Sequence, residues 1–174
     1  MEKHYSWRKL NRDELTRVYC SEMRRDFPPS ELKPLIMILD SESAGVAHTW
    51  GVFDGGQLAA YLLMVRPVGS RMSLLDYFAV LPAYRGKGLG AKLLAELPQH
   101  EKFAKAILIE SEWPEKAEDE AMAVRRLGFY ARCGARDTGF TEHLFDAWFR
   151  ILVLPCPDAG TFADRQAVDA LVNC

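Results

Sequence analysis

The chain has 174 residues, 22 Lys+Arg against 24 Asp+Glu for a net charge of -2, and 49% hydrophobic residues. That is the size of one domain with a core of its own, and the charge balance gives no general attraction to nucleic acid or to an anionic membrane. The longest apolar runs, such as Leu35–Leu39, are too short to cross a bilayer, and the opening MEKHYSWRKL lacks the apolar stretch of a secretory signal. Cys20, Cys133, Cys156 and Cys174 are scattered with no C-x-x-C pair, which suits free thiols in a reducing cytoplasm. His4, His48, His100 and His143 are isolated, so no metal site is expected.

In chain order, Ser6–Leu10 reads as a first strand. Asn11 with Glu14 forms a capping-box pattern ahead of Leu15, Val18, Tyr19 and Met23, a helix that Pro28-Pro29 should terminate. Ser30–Leu39 reads as a second, shorter helix with Pro34 near its first turn. His48–Phe53 and Gln57–Val65 flank Asp54-Gly55-Gly56, a hairpin signal. Leu74–Val80 is a buried strand closed by Pro82, and a helix carrying Leu89, Leu93, Leu94 and Leu97 is expected to stop at Pro98. Lys105–Glu112 reads as a strand and Glu118–Cys133 as a helix with Gly134 as its cap. Arg136–His143 and Ala147–Leu154 make a second hairpin, and Thr161–Val172 a short terminal helix. The whole is an α/β chain with a mixed sheet and helices on both faces, read as a single domain over residues 1–174 with a core of about 5–155 and an extension over 156–174.

The segment between the Leu74–Val80 strand and its helix carries the chemistry. Arg85-Gly86-Lys87-Gly88-Leu89-Gly90 places three glycines at alternate positions, so the backbone can curl several N–H groups into one concavity at a helix N-terminus. Such a nest takes phosphate oxygens, and Arg85 and Lys87 add two cations beside it. A P-loop would need Gly-Lys-Ser/Thr, but Leu89 follows Gly88. The dinucleotide pattern G-x-G-x-x-G fails because the spacing here is G-x-G-x-G.

This loop resembles motif A of the GNAT family of N-acetyltransferases, Gln/Arg-x-x-Gly-x-Gly/Ala, with Arg85, Gly88 and Gly90 in the fixed places. Tyr77-Phe78-Ala79-Val80 is similar to the family's fourth strand and Leu81-Pro82-Ala83-Tyr84 to the turn after it. Arg125–Ala135, containing Phe129-Tyr130 and Gly134, resembles motif B. The resemblance spans about residues 5–155 and implies the acyl-CoA N-acyltransferase fold with splayed fourth and fifth strands. It implies an enzyme of the EC 2.3.1 type that moves an acetyl group from acetyl-CoA, its acyl-donor substrate, to a primary amine of a small-molecule or peptidic acceptor. The attack would be direct, in a ternary complex, by a cytoplasmic monomer or homodimer with no metal, nucleic acid or membrane partner.

Carried over residue by residue, the pantetheine arm would pair with the main chain of Phe78, Ala79 and Val80, with the Val80 N–H toward the thioester oxygen. The pyrophosphate would lie on the N–H groups of Gly86, Lys87, Gly88, Leu89, Gly90 and Ala91, beside Arg85. Tyr130 matches the tyrosine whose hydroxyl protonates the leaving thiolate. A phenol with a pKa near 10 is protonated at neutral pH and able to donate.

Glu110 lies where some relatives place the carboxylate that deprotonates the amine. Glu112 is two residues on along the same face, and Asp76 is on the neighbouring strand. Each of the three is equally open to a structural pairing with Arg125 or Arg126. Leu74 stands where histone-type relatives carry a glutamate, and Ala123 where some relatives carry an asparagine. The six carboxylates of Glu110–Glu120 read first as a solvated face, second as an attraction for a cationic amine. Two other classes remain open: a non-catalytic coenzyme A-binding GNAT-like protein, and a nucleotide-dependent kinase or ligase.

Overall fold

The computed structural model describes residues 4–144 and 146–157; the expected helix at Thr161–Val172 lies outside them. Among the described residues seven strands form one sheet in the order β1-β2-β3-β4-β5-β7-β6. They are β1 (Ser6–Lys9), β2 (Ala47–Asp54), β3 (Gln57–Val65), β4 (Met72–Val80), β5 (Ala106–Glu112), β6 (Arg136–Leu144) and β7 (Ala147–Pro155). The β1–β2, β2–β3, β5–β7 and β6–β7 pairs are antiparallel, while β4 and β5 are parallel. A parallel pair needs a crossover, and here it is helix α4 (Leu89–His100). The registered pairs of β4 and β5 run from Met72–Ala106 to Leu75–Ile109; β4 continues to Val80 and β5 to Glu112. By its internal contacts the chain divides into two compact units. One is its first 68 residues with Asp76–Gly90; the other is Gly69–Leu75 with the residues from Ala91 onward.

The first unit begins with β1 and a helical run made of α1 (Arg12–Val18), a π-helical turn (Tyr19–Met23) and α2 (Arg24–Asp26). The expected capping box is formed: the Asn11 side chain accepts from the Glu14 N–H and the Glu14 carboxylate accepts from the Asn11 N–H, each at 3.0 Å. Arg8 forks onto the same carboxylate with two bonds of 2.7 Å. The pairs close with Asp54 opposite Gln57, so Gly55 and Gly56 are the two turn residues, and both have positive φ (54° and 91°). That is the backbone a two-residue hairpin of this twist requires. Leu15, Val18, Met23, Ile38, Leu39, Tyr61, Leu63 and Tyr77 pack into this unit's core.

The second helix differs from the expected Ser30–Leu39. It is α3 (Leu35–Ser43), with Pro34 outside it as the N-cap at ψ 138°. A residue before proline is driven out of the helical region, so Lys33 cannot lie inside a helix and the chain turns helical only after Pro34.

In the second unit Met72, Ala106, Leu108, Ile151 and Val153 form a core cluster, and Leu93, Leu94 and Leu97 of α4 are fully buried. Helix α4 does not stop at Pro98 but runs through it to His100. In the last turn a proline removes one hydrogen bond only, and the ladder resumes where the Glu101 N–H donates to the Leu97 carbonyl at 3.0 Å. Helix α5 (Glu120–Arg132) is capped by Asp119, whose side chain accepts from the Met122 N–H, and is followed by Gly134 at φ 91°. The β6–β7 hairpin is irregular between Asp137 and Thr141, where Gly139 turns left-handed at φ 79° and donates to Asp137 Oδ1.

Candidate functional site: a glycine loop and a helix tyrosine

In the first unit, β4 ends at Val80 and the Leu81 N–H is held by the Ala59 carbonyl at 2.9 Å. A single 3₁₀ turn (Pro82–Tyr84) follows, closed by the Tyr84 N–H on the Leu81 carbonyl. Gly86 and Gly88 then adopt φ of 73° and 75°, conformations that exclude most side chains. A Cβ placed on either would meet nothing within 4 Å, so the space beside this backbone is open. Gly90 already belongs to α4, and buried Leu89 anchors the helix start. Phe78, Ala79 and Val80 are half-buried.

Each of the two loop cations has acceptors within the chain. The Arg85 Nε donates to the Val80 carbonyl at 2.7 Å and its Nη2 to Asp26 Oδ1 at 2.8 Å. The Lys87 ammonium donates to the Ala83 carbonyl at 2.9 Å. Both therefore brace the turn from which the loop springs. Asp26, the last residue of α2, is 5% exposed in its side chain and also receives the Tyr61 hydroxyl at 2.9 Å and the Arg25 guanidinium at 3.1 Å. Asp26 and Tyr61 were not legible as site residues, because the Arg85–Asp26 contact joins positions 59 apart in sequence.

Asp76 also has a cation of its own. Lys33 Nζ lies 2.7 and 2.9 Å from its two oxygens. The neighbouring Tyr77 hydroxyl donates to the Glu31 carbonyl and accepts from the Lys33 N–H, and burial pushes its pKa up to about 12. Asp76 is thus paired with Lys33 rather than with Arg125 or Arg126.

In the second unit, Tyr130 sits half-buried on α5. Burial raises its hydroxyl above the ordinary tyrosine range, opposed by the charge of Arg126 one turn earlier. Among the described residues that hydroxyl forms no hydrogen bond. Arg126 also lies 3.6 Å from Glu112 Oε2, the structural pairing weighed for that carboxylate. Glu110 is half-buried on β5 opposite Ile151, and two-residue spacing keeps it on the same face as Glu112. Ser111 between them is fully buried, and its Oγ finds no hydrogen-bond partner among the described residues.

Just beyond, Trp113 meets Trp148 edge-on at 6.1 Å, His143 lies 4.9 Å from Trp148, and Arg150 caps the Trp113 ring at 5.6 Å. The sequence reading passed over this aromatic cluster, since its members come from three strand ends. Among the described residues no group of three His, Cys, Asp or Glu side chains is placed to hold a metal. No helix among them is long and apolar enough to cross a membrane.

A family model described as an acetyltransferase (GNAT) domain matches residues 45–134, just over half of the chain and both glycine-bearing motifs. The chain belongs to the GNAT acetyltransferase family. Solved structures carry the same fold at low identity. A GNAT-family protein from Bacteroides thetaiotaomicron superposes with a TM-score of 0.70 at 22% identity, covering 97% of this chain and 96% of that one. The spermidine N-acetyltransferase of Vibrio cholerae, solved with CoA and spermine, gives 0.66 at 12% identity over 87% and 95%. The ribosomal-protein-S18-alanine N-acetyltransferase of Escherichia coli gives 0.63 at 19% identity over 91% and 97%. No curated protein matches the chain.

Proposed function

We propose that this GNAT protein transfers an acetyl group from acetyl-CoA to a primary amine of a small-molecule or peptidic acceptor. The observation that carries the reading is the strand–loop–helix unit ending in Gly86 and Gly88, two left-handed glycines beside open space at the mouth of α4. Backbone N–H groups there would take the pyrophosphate without any side-chain charge. The backbone of Phe78–Val80 would align the pantetheine arm, and the Val80 N–H would polarise the thioester carbonyl. The spermidine and S18-alanine enzymes that share the fold are named for primary amines of different sizes, which supports the class and leaves the member open.

In the reaction so read, the acceptor's ammonium first loses a proton through water to Glu110, and the neutral nitrogen attacks the thioester carbon. The C–S bond breaks as the departing thiolate takes the Tyr130 proton, and the proton the nitrogen sheds on becoming an amide restores the Tyr130 hydroxyl. A hydroxyl whose pKa burial has raised stays protonated at neutral pH, so its proton is in place when the thiolate departs. Glu112, 3.6 Å from Arg126, is the second candidate for the base role.

The test is release of free CoA thiol from acetyl-CoA across a panel of a polyamine, a peptide α-amine, lysine and an aminoglycoside, with Tyr130→Phe as control. The expected result is turnover with at least one amine and a fall of roughly 10²–10⁴ in the control. Acetyl-CoA binding without turnover on any amine would favour a non-catalytic coenzyme A binder. ATP bound in preference to CoA would favour a kinase or ligase.

A further inference from the structure

We propose that Asp26 is a positioning residue for the cofactor loop: by drawing the Arg85 guanidinium down against the Val80 carbonyl, it keeps the Gly86–Ala91 amides free to bind the pyrophosphate. This rests on the reading that the loop takes acetyl-CoA. The contacts lie within one unit of the chain and form a continuous series. Tyr61 on β3 is fully buried and donates to Asp26 Oδ2 at 2.9 Å, which fixes one edge of the carboxylate. Its other oxygen takes Arg85 Nη2 at 2.8 Å, while Arg25 closes from the side at 3.1 Å. Below the carboxylate, the Phe27 N–H donates to the Met23 carbonyl and the Phe27 ring packs edge-on against Tyr77 at 4.9 Å, so the backbone under Asp26 is tied down as well.

A carboxylate held this firmly dictates where Arg85 goes. With Nη2 on Asp26 and Nε on Val80, the planar guanidinium spans the base of the turn from Val80 to Arg85, and a fork of fixed geometry suits that bridging better than a flexible ammonium would. The charge of Arg85 is then partly neutralised by Asp26, so the loop's attraction for phosphate falls to backbone amides, which carry their orientation with them. Without Asp26, Arg85 is free to swing and the turn that aims those amides loses its tie to α2.

The alternative, in which Arg85 itself pairs with phosphate, predicts a change of the opposite sign. There Asp26 competes for the guanidinium, and removing its charge tightens acetyl-CoA binding. Asp26→Asn keeps the shape and removes the charge. Calorimetric titration and steady-state kinetics on the full chain should show Kd and KM for acetyl-CoA raised about tenfold, the scale of one hydrogen bond to a charged group. The kcat should stay within about twofold and the KM for the amine should not move.

Arg85→Gln should raise KM for acetyl-CoA by a similar factor, and the double variant should be no worse than either single one. Unchanged or tighter acetyl-CoA binding in Asp26→Asn, or additive losses in the double variant, would overturn the proposal. A lowered Tm with an unmoved KM would overturn it equally, by reducing Asp26 to a fold contact. Should Asp26→Asn fail to fold, Tyr61→Phe removes the bond that orients the carboxylate. It should raise KM for acetyl-CoA about threefold, and no change there would also overturn the idea. Wild-type protein that takes up no acetyl-CoA would remove the underlying reading together with this one; wild type that binds while Asp26→Asn binds equally well would remove this one alone.

Discussion

Gly88 offers a test in which backbone strain and ligand contact can be separated. Its φ is 75°, so any side chain pays a conformational penalty of about 1–2 kcal/mol even though a Cβ would meet nothing within 4 Å. A bulky replacement would confuse that strain with a blocked site. Gly45 supplies a matched control, with φ 73° and equally open surroundings at the end of α3, away from the loop. Gly88→Ala and Gly45→Ala should therefore lower stability alike, with Tm falling by about 2–8 °C for a chain of this size.

Their effects on acetyl-CoA should differ. A methyl group at Gly88 projects from the backbone that is to approach the pyrophosphate, displacing one amide from a charged oxygen. Hydrogen bonds to charged groups contribute about 1.5–3 kcal/mol, so Kd for acetyl-CoA should rise about ten- to a hundredfold. Gly45→Ala should leave it unmoved. Calorimetry on folded protein, with thermal melts run in parallel, reads both quantities. Equal acetyl-CoA affinity in the two alanine variants would refute the phosphate-cradle reasoning.

The base assignment predicts a pH signature: Glu110→Gln should slow turnover most at neutral pH, where an alkyl ammonium of pKa near 10.4 needs help to lose its proton, and partly recover in alkali. An equal loss at every pH would argue for positioning instead. The capping box predicts an acid-side loss of stability. The hydrogen bonds from Arg8 and then from the Asn11 N–H hold the Glu14 carboxyl down to about 2, from an ordinary 4.5. A depressed carboxyl stabilises the fold above its unfolded pKa, and that contribution is lost as pH falls from about 4.5 toward 2. Urea midpoints should therefore drop more steeply over that range in wild type than in Glu14→Gln, and parallel curves would refute it.

How much of this was legible follows from how local each determinant is. The Asn11–Glu14 box, the Gly55-Gly56 hairpin and the Gly134 end of α5 are decided within a few residues, and each formed as its local chemistry requires, while α5 begins after its Asp119 cap rather than at the expected Glu118. The strand–glycine loop–helix unit is equally local. Proline misled in both directions. At Pro34 its effect on the preceding residue excluded Lys33 from α3, whereas at Pro98 the same effect was overridden in a last turn whose Leu97 is fully buried. The π-helical turn at Tyr19–Met23 has no signal in the apolar spacing that announced the helix around it.

Side-chain direction lies on a different link of the chain of causes. A motif with Arg85 and Lys87 beside a phosphate nest supplies the right charge, but where each cation points depends on acceptors the motif does not contain. Lys87 finds the Ala83 carbonyl four residues away, within the reach of the turn itself. Arg85 finds Asp26 only because the end of α2 is brought to the turn after β4, with Tyr61 to hold the carboxylate still. The same logic applies to the partner of Asp76, since Lys33 precedes it by 43 residues. From Asp26 to Lys33 the chain is thus gripped at both ends, by Arg85 at one and by Asp76 and Tyr77 at the other. A substitution at either grip should be felt at the other through that short segment, which ties the geometry of the glycine loop to residues that no reading of the motif alone would single out.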